Sequence, residues 1–229
     1  MRRPSTALRR LREDQRGLTM AEVLIASMLS MIILVMVTSM FVQTTKITTA
    51  SNQTKQSNAV AANVMNELSA VLRVAATNPR SNSAIPESAI QAATRSSITF
   101  YAYSNTDAAN PKPVKVTFAL NASNEVWETR CAGVPSGEYY TFTSCASTST
   151  RMLGKEVLAP TGTGNQLFTY LDANGAAIVI GTGAMSASDR DRVASITVQV
   201  RARDISSKND PVFVSNTVYL RNLGLDSGS

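Results

Sequence analysis

The sequence contains no histidine, which removes the commonest general base and the commonest transition-metal ligand. Its two cysteines, Cys131 and Cys145, are too few to hold a zinc finger or an iron–sulfur cluster without other soft ligands. Glycine and proline are missing from Leu18 to Asn78, a stretch of 61 residues, although the two types together average about 12% of residues. Charge is missing from Val23 to Val42. Neither a Gly-rich phosphate loop nor a nucleophile–base pairing is in sight, so no enzyme is expected, and no catalytic, cofactor or metal residue is assigned.

The charge that is present is unevenly placed. Arg2, Arg3, Arg9, Arg10, Arg12 and Arg16 crowd the first 17 residues against only Glu13 and Asp14, so most of the net +6 sits there and the remainder is nearly balanced. No Lys/Arg run of the sort that tracks phosphates follows, and charge gives no reason to expect nucleic acid. A hydrophobic content of 44% leaves enough apolar side chain for a core.

The uncharged run Val23–Val42 has the length of a bilayer-spanning helix, roughly 30 Å at about 1.5 Å per residue. The arginines before it predict a cytoplasmic N-terminus and an exported C-terminal part. A cleaved signal peptide competes, but its apolar core is usually about 7–15 residues and ends in a small-residue cleavage site. Here the sequence continues in helical character past Val42. A plain signal anchor explains the run but not Glu22 at its head, because a charge at mid-bilayer costs roughly 2.5–3.5 kcal/mol even on lenient scales. Thr19-Met20-Ala21-Glu22 has capping-box spacing, with the carboxylate reaching back to the Thr19 N–H at the positive end of the helix dipole. That local role is sufficient for Glu22 by itself.

At these residues the sequence resembles the type IV prepilin and pseudopilin family. A basic leader ends at Gly17; Leu18, Thr19, two apolar residues, Glu22 and a long apolar helix follow in order and spacing. The likeness covers roughly residues 9–45, and Leu18 stands where the family more often has Phe. It implies that a prepilin peptidase cuts between Gly17 and Leu18 and methylates the new Leu18 amine. It further implies that Glu22 offsets the terminal charge of a neighbouring subunit, an attraction much stronger at low dielectric than in water. The implied partners are the peptidase, sister pilin or pseudopilin subunits met through the N-terminal helix, and membrane lipid before assembly. The implied location is the bacterial cell membrane, single-pass, then an extracellular or periplasmic filament. Many major pilins of the family carry a proline inside the apolar helix; its absence here tilts the resemblance toward a minor pilin or pseudopilin. The segment Val218–Asn222 loosely resembles the end of some minor pilin-like proteins.

Beyond the membrane run, Gln43–Asn58 is polar, and then Val60, Val64, Leu68, Val71, Leu72 and Ala75 recur at three- and four-residue intervals. One helix is expected from Leu18 to about Asn78, closed by Asn78-Pro79. A coiled coil competes, but e/g charge pairs are absent and the apolar repeat is short. The predicted organisation is a leader at 1–17, a membrane half at 18–42, a solvent-side continuation at 43–78 and a β-rich head at 79–229. Residues 80–96 are expected as loop with a helical turn near Glu87–Ala93.

From Ile98 the period becomes two. Strands are predicted over Ile98–Ala102, Val114–Leu120 and Ile196–Arg203, the cleanest of all, with weaker ones at Glu125–Arg130, Tyr139–Thr143, Leu167–Leu171, Ala176–Ile180 and Val212–Leu220. Ser144–Thr150 and Thr161–Gly164 are expected as loops. Short connections and one-sided polarity make the sheet antiparallel, and the fold class is α+β, a long helix on an antiparallel sheet.

Three polar features of the head have competing readings. Asp172-Ala173-Asn174-Gly175 suits a calcium loop by its oxygen ligands, but no acidic residue follows to complete a shell, and Asn-Gly suits a hairpin turn. Cys131 and Cys145 are expected as a disulfide if the head lies outside the cytoplasm, worth roughly 3 kcal/mol by chain entropy, and as two buried thiols otherwise. Asp189-Arg190-Asp191-Arg192 is expected as a solvated, self-paired patch on a loop and not a catalytic carboxylate pair. The function class is structural, a filament subunit; the rival is a membrane-anchored exported module whose head binds a ligand outside any filament.

Overall fold

Between Thr19 and Leu72 nothing interrupts helical backbone, and the chain forms a single helix, α1, over Met20–Leu72. The computed structural model describes residues 19–81, 83–103, 112–160, 166–181, 183–204 and 210–221. The leader, the Gly17–Leu18 junction, the expected loop at Thr161–Gly164 and Asn222 lie outside the described residues. The chain divides into two units, one ending at Thr49 and the other running from Ala50 onward.

In the first unit every described residue of α1 is solvent-exposed, from Met20 to Thr49. In the second, α1 carries a buried stripe of Ser57, Ala61, Val64, Met65, Leu68, Ser69, Val71 and Leu72. These positions recur three and four apart, the spacing that brings side chains to one face of a helix.

The helix ends six residues earlier than Asn78-Pro79 suggested. After Leu72 the backbone is captured by a strand: Ala76 N–H donates to Tyr101 O at 2.9 Å and Tyr103 N–H to Val74 O at 3.2 Å. Pairing with the sheet competes successfully with one more helical turn, and Asn78-Pro79 falls in strand β1 (Asn78–Arg80). The helical turn expected near Glu87–Ala93 is also absent. Strands β2 (Ser83–Glu87) and β3 (Ile90–Ala93) occupy that stretch, β2 returning antiparallel on β1.

Two antiparallel sheets form the body of the head. The larger has the order β3-β4-β5-β6-β9, with β4 at Ser97–Ala102, β5 at Val114–Leu120, β6 at Val126–Ala132 and β9 at Ser147–Gly154. Strands β7 (Val134–Ser136) and β8 (Tyr139–Thr141) make a small hairpin between β6 and β9. The smaller sheet has the order β10-β11-β12, with β10 at Phe168–Leu171, β11 at Ser195–Ala202 and β12 at Val212–Tyr219. Helix α2 (Ala187–Asp191) precedes β11. The fold class is α+β, a long N-terminal helix with an antiparallel β head.

One apolar core joins α1 to both sheets. Leu68 and Leu72 from the helix, Ile98, Phe100, Val116 and Phe118 from the larger sheet, and Phe168, Ile196 and Val198 from the smaller are all fully buried. Burial stabilises by about 1.5–3 kcal/mol for each such side chain. The alternation seen in the sequence decides the faces: Ile196, Val198, Val200 and Ala202 point inward along β11, while Thr197 pairs outward with Thr217 of β12 at 2.8 Å. Tyr170 sits inside this core and its hydroxyl donates to Thr94 O at 3.0 Å, joining the two sheets. Burial pushes its phenol pKa up.

Two strand expectations fail in opposite directions. Ser144–Thr150 reads as loop in the sequence, yet from Ser147 it forms β9, whose first six residues are exposed. A strand at a sheet edge is held through main-chain bonds to one neighbour and needs no apolar alternation. Conversely, Ala176–Ile180 makes only the isolated bridge Leu171–Ala177, and Val179 is 89% exposed.

Candidate functional site

The N-terminal part of α1 is the first candidate site, and its chemistry begins at the cap. The Thr19 N–H and hydroxyl both donate to Glu22 Oε2 at 3.0 Å, and the Glu22 N–H donates to Thr19 Oγ1 at 3.3 Å. This is a reciprocal capping box, and it engages the carboxylate without a second molecule. Gly17 and Leu18, the expected cleavage pair, lie outside the described residues.

Downstream, the apolar surface goes all the way round. Val23, Leu24, Ile25, Met28, Leu29, Met31, Ile33, Leu34, Val35, Met36 and Phe41 are each at least half exposed. Two of the four hydroxyls in the run, those of Ser27 and Ser39, close on their own backbone at Leu24 O and Met36 O, both at 2.8 Å. With its main-chain groups paired within the helix, the segment offers an apolar solvent few unpaired polar groups. It is long and apolar enough to cross a membrane, and a helix apolar on every face calls either for lipid or for other helices. Past Val42 the threonines repeat the device at longer reach: Thr44, Thr45, Thr48 and Thr49 each donate to the carbonyl four residues back at 2.9–3.0 Å.

Within the second unit, three contacts fix the end of α1 to the sheets. At Gly154 a Cβ would lie 2.5 Å from Val64 Cγ2, so β9 approaches the helix at a distance only glycine permits. Ser57 Oγ accepts from Asp204 N–H at 3.2 Å, and Asn216 Nδ2 donates to Ser69 Oγ at 3.0 Å, so both polar residues of the buried stripe are satisfied. A four-charge network completes the seam. Glu128 is fully buried on β6; Arg130 Nε binds it at 2.6 Å and Arg151 of β9 binds its other oxygen and also Glu67 of α1. The hydrogen bond to Glu128 raises the Arg151 pKa against a smaller opposing effect of burial, with Glu67 adding to the rise. Nothing in the sequence separates these residues from ordinary surface charges, because Glu128, Arg151 and Glu67 are brought together only by strand pairing and helix docking.

Cys131 and Cys145 form a disulfide with Cα atoms 5.2 Å apart. The bridge ties the end of β6 to the chain just before β9 and closes the loop that holds β7 and β8. The Asp172–Gly175 segment is a turn: Asp172 Oδ1 accepts the N–H groups of Asn174 and Ala176, both at 2.9 Å, and Gly175 has φ +77°. The Asp172 carboxylate is thus engaged by its own backbone, and no group of three or more His, Cys, Asp or Glu suited to a metal occurs among the described residues. Asp189–Arg192 is not a loop as expected. It lies on and just after α2, capped by Ser186, whose hydroxyl bonds Asp189 Oδ2 at 2.7 Å. The spacing Ser186-x-x-Asp189 carried that information. Arg192 pairs with Asp189 at 3.5 Å and reaches Asp172 at 3.7 Å.

No model of a known protein family matches the chain, and no curated protein does.

Proposed function

We propose that the chain is a structural subunit, a minor pilin or pseudopilin, of a type IV pilus-like, type II secretion-like or DNA-uptake filament. In this reading a prepilin peptidase removes the leader after Gly17 and methylates Leu18. The subunit waits in the membrane, single-pass with the head outside, and then exchanges lipid for sister helices. The observation that carries the reading is the contrast along α1: an all-round apolar half whose residues are all exposed, and a second part built into the head. The resemblance at Gly17, Leu18, Thr19 and Glu22 supplies the processing step.

Glu22 has two successive tasks in this scheme. In the single chain it caps its own helix through Thr19. In a filament it offsets the methylated ammonium of the next subunit, where a mispaired charge is costly and so fixes register.

The decisive experiment is mass measurement of the N-terminus after expression beside a prepilin peptidase. The expected product begins at methylated Leu18; an intact leader, or a cut elsewhere, refutes the processing step and leaves a plain membrane anchor. Glu22→Ala is expected to be inserted and trimmed as usual but to enter filaments poorly. Normal incorporation of that variant would remove the pairing role and leave the cap.

A further inference from the structure

Four strands close the two main sheets, β3 and β9 on the larger and β10 and β12 on the smaller. An outer strand offers its unpaired row of main-chain N–H and C=O groups to any extended chain that reaches it. Strands β3 and β10 are each four residues long, and the chain from Ile178 to Met185 already bonds both. Ile178 N–H donates to Tyr170 O at 2.9 Å, and Met185 N–H donates to Ala93 O at 2.8 Å. Strand β9 has eight residues, but Arg151 on it is committed to Glu128 and Glu67. Strand β12 also has eight residues, and the charges at its end are free.

The pairing along β12 shows which groups face outward. Leu220 N–H donates to Ala194 O at 3.0 Å, and Tyr219 stands opposite Ser195. Hydrogen-bonded and non-hydrogen-bonded pairs alternate along an antiparallel ladder. Val218 and Ile196 therefore form a bonded pair, and the main-chain groups of Thr217 and Tyr219 point away from β11 to the open edge. The Thr197 and Thr217 hydroxyls lie 2.8 Å apart, the side-chain closeness of a non-bonded pair. No described residue bonds the outward N–H and C=O groups of Thr217 and Tyr219.

A cleft of about 400 Å³ lies along this stretch, lined by Arg73 just after α1 and by Thr217, Val218, Tyr219 and Arg221. That volume is within the range of ligand pockets, about 300–1,000 Å³. Its lining holds two guanidiniums and no carboxylate. Arg80, Arg130, Arg151 and Arg192 each meet a carboxylate, whereas Arg73 and Arg221 pair with none among the described residues. Both are exposed, as is Tyr219 beside them.

Two kinds of recognition meet here. Guanidinium forks select a carboxylate or a phosphate. An open strand edge, with donors and acceptors in alternation, selects a peptide backbone. A free oxyanion would satisfy the arginines but leave the edge carbonyls without a donor, and a neutral peptide would do the reverse. We propose that the β12 edge takes up an acidic peptide segment of another protein as an added strand, with a glutamate or aspartate side chain of that segment between Arg73 and Arg221. Neither the Thr19–Glu22 cap nor the apolar half of α1 takes part, so the proposal does not depend on filament assembly.

The test is NMR titration of the full chain in a zwitterionic detergent. The probe is a blocked heptapeptide of alternating threonine and valine with a central glutamate. Its glutamine counterpart, its fully N-methylated form, acetate and inorganic phosphate are titrated beside it. The glutamate peptide is expected to bind at millimolar concentration and to slow hydrogen exchange at the Thr217 and Tyr219 amides. The glutamine peptide should bind about tenfold more weakly, and Arg73→Gln and Arg221→Gln should each weaken the glutamate peptide by a similar factor, the loss of a charge-assisted hydrogen bond. Lys155→Gln, which removes a positive charge outside the cleft, should change nothing. The N-methylated form should not bind. No binding of the glutamate peptide, equal binding of its glutamine or N-methylated form, indifference to both arginine variants, or protection of the two amides by acetate or phosphate alone would each overturn the proposal.

Discussion

The two ends of α1 are built from similar side chains and meet opposite surroundings. Leu24, Leu34 and Val35 are more than half exposed, whereas Val64, Leu68 and Leu72 are fully buried. The difference is not composition but what the rest of the chain provides. From Ser57 onward two sheets cover one stripe, and polar residues such as Asn58 and Asn66 face outward; from Met20 to Val42 every residue is exposed. The head's stability can be settled inside one molecule, while the N-terminal half needs a partner phase. Mutations in the two regions should accordingly show up in different experiments.

The largest effect should come from setting one region against the other. Phe100→Ala removes a fully buried ring and should cost about 3–5 kcal/mol of head stability, read by denaturant unfolding, while membrane partition is retained. Paired substitutions Leu34→Arg and Val35→Arg should do the reverse, adding roughly 2.5–3.5 kcal/mol each against insertion and leaving the unfolding midpoint alone. Equal effects of both variants on both readouts would erase the distinction. Next in size, Cys131→Ala with Cys145→Ala should lower stability by roughly 3 kcal/mol, again without touching partition.

The smallest effect sharpens the comparison within the head. Burial raises the Glu87 pKa, but hydrogen bonds from Tyr101 and Asn78 and the Arg80 charge outweigh it, and the net shift is downward. A folded value below the unfolded one means stability present above the ordinary glutamate pKa and lost as pH falls through the depressed one. Acid titration by NMR should loosen the β1–β2 ribbon and the Tyr101 ring in that window, and Glu87→Gln should abolish the transition. The same cluster pushes the Tyr101 phenol pKa up, first by burial and then through the Glu87 carboxylate, so Tyr101 stays a donor across that window.

How much of this was legible beforehand depends on where each residue's information lies. The helix and β11 were readable because their constraints are local: no breaker over a long stretch, and a clean alternation from Ile196 to Ala202. Strand β9 was not, because a Ser/Thr edge held by main-chain bonds looks like a loop. The end of α1 was misplaced because the decision at Val74–Ala76 belongs to β4, far away in sequence. The capping partners Thr19 and Glu22 were plain from spacing, as was the Cys131–Cys145 pairing as one of two options. The Asn78–Glu87–Tyr101 cluster and the buried Glu128 gave no local sign at all, since each needs strands that only the fold brings together.

The bridge between Cys131 and Cys145 has one more consequence. Thiols are kept reduced in the cytosol and oxidise outside it, so in the exported subunit proposed above the bond would make every molecule carry its own travel record. On a non-reducing gel after alkylation, copies still held behind the membrane should run as the open form and delivered copies as the closed one. Export could then be timed without attaching any reporter.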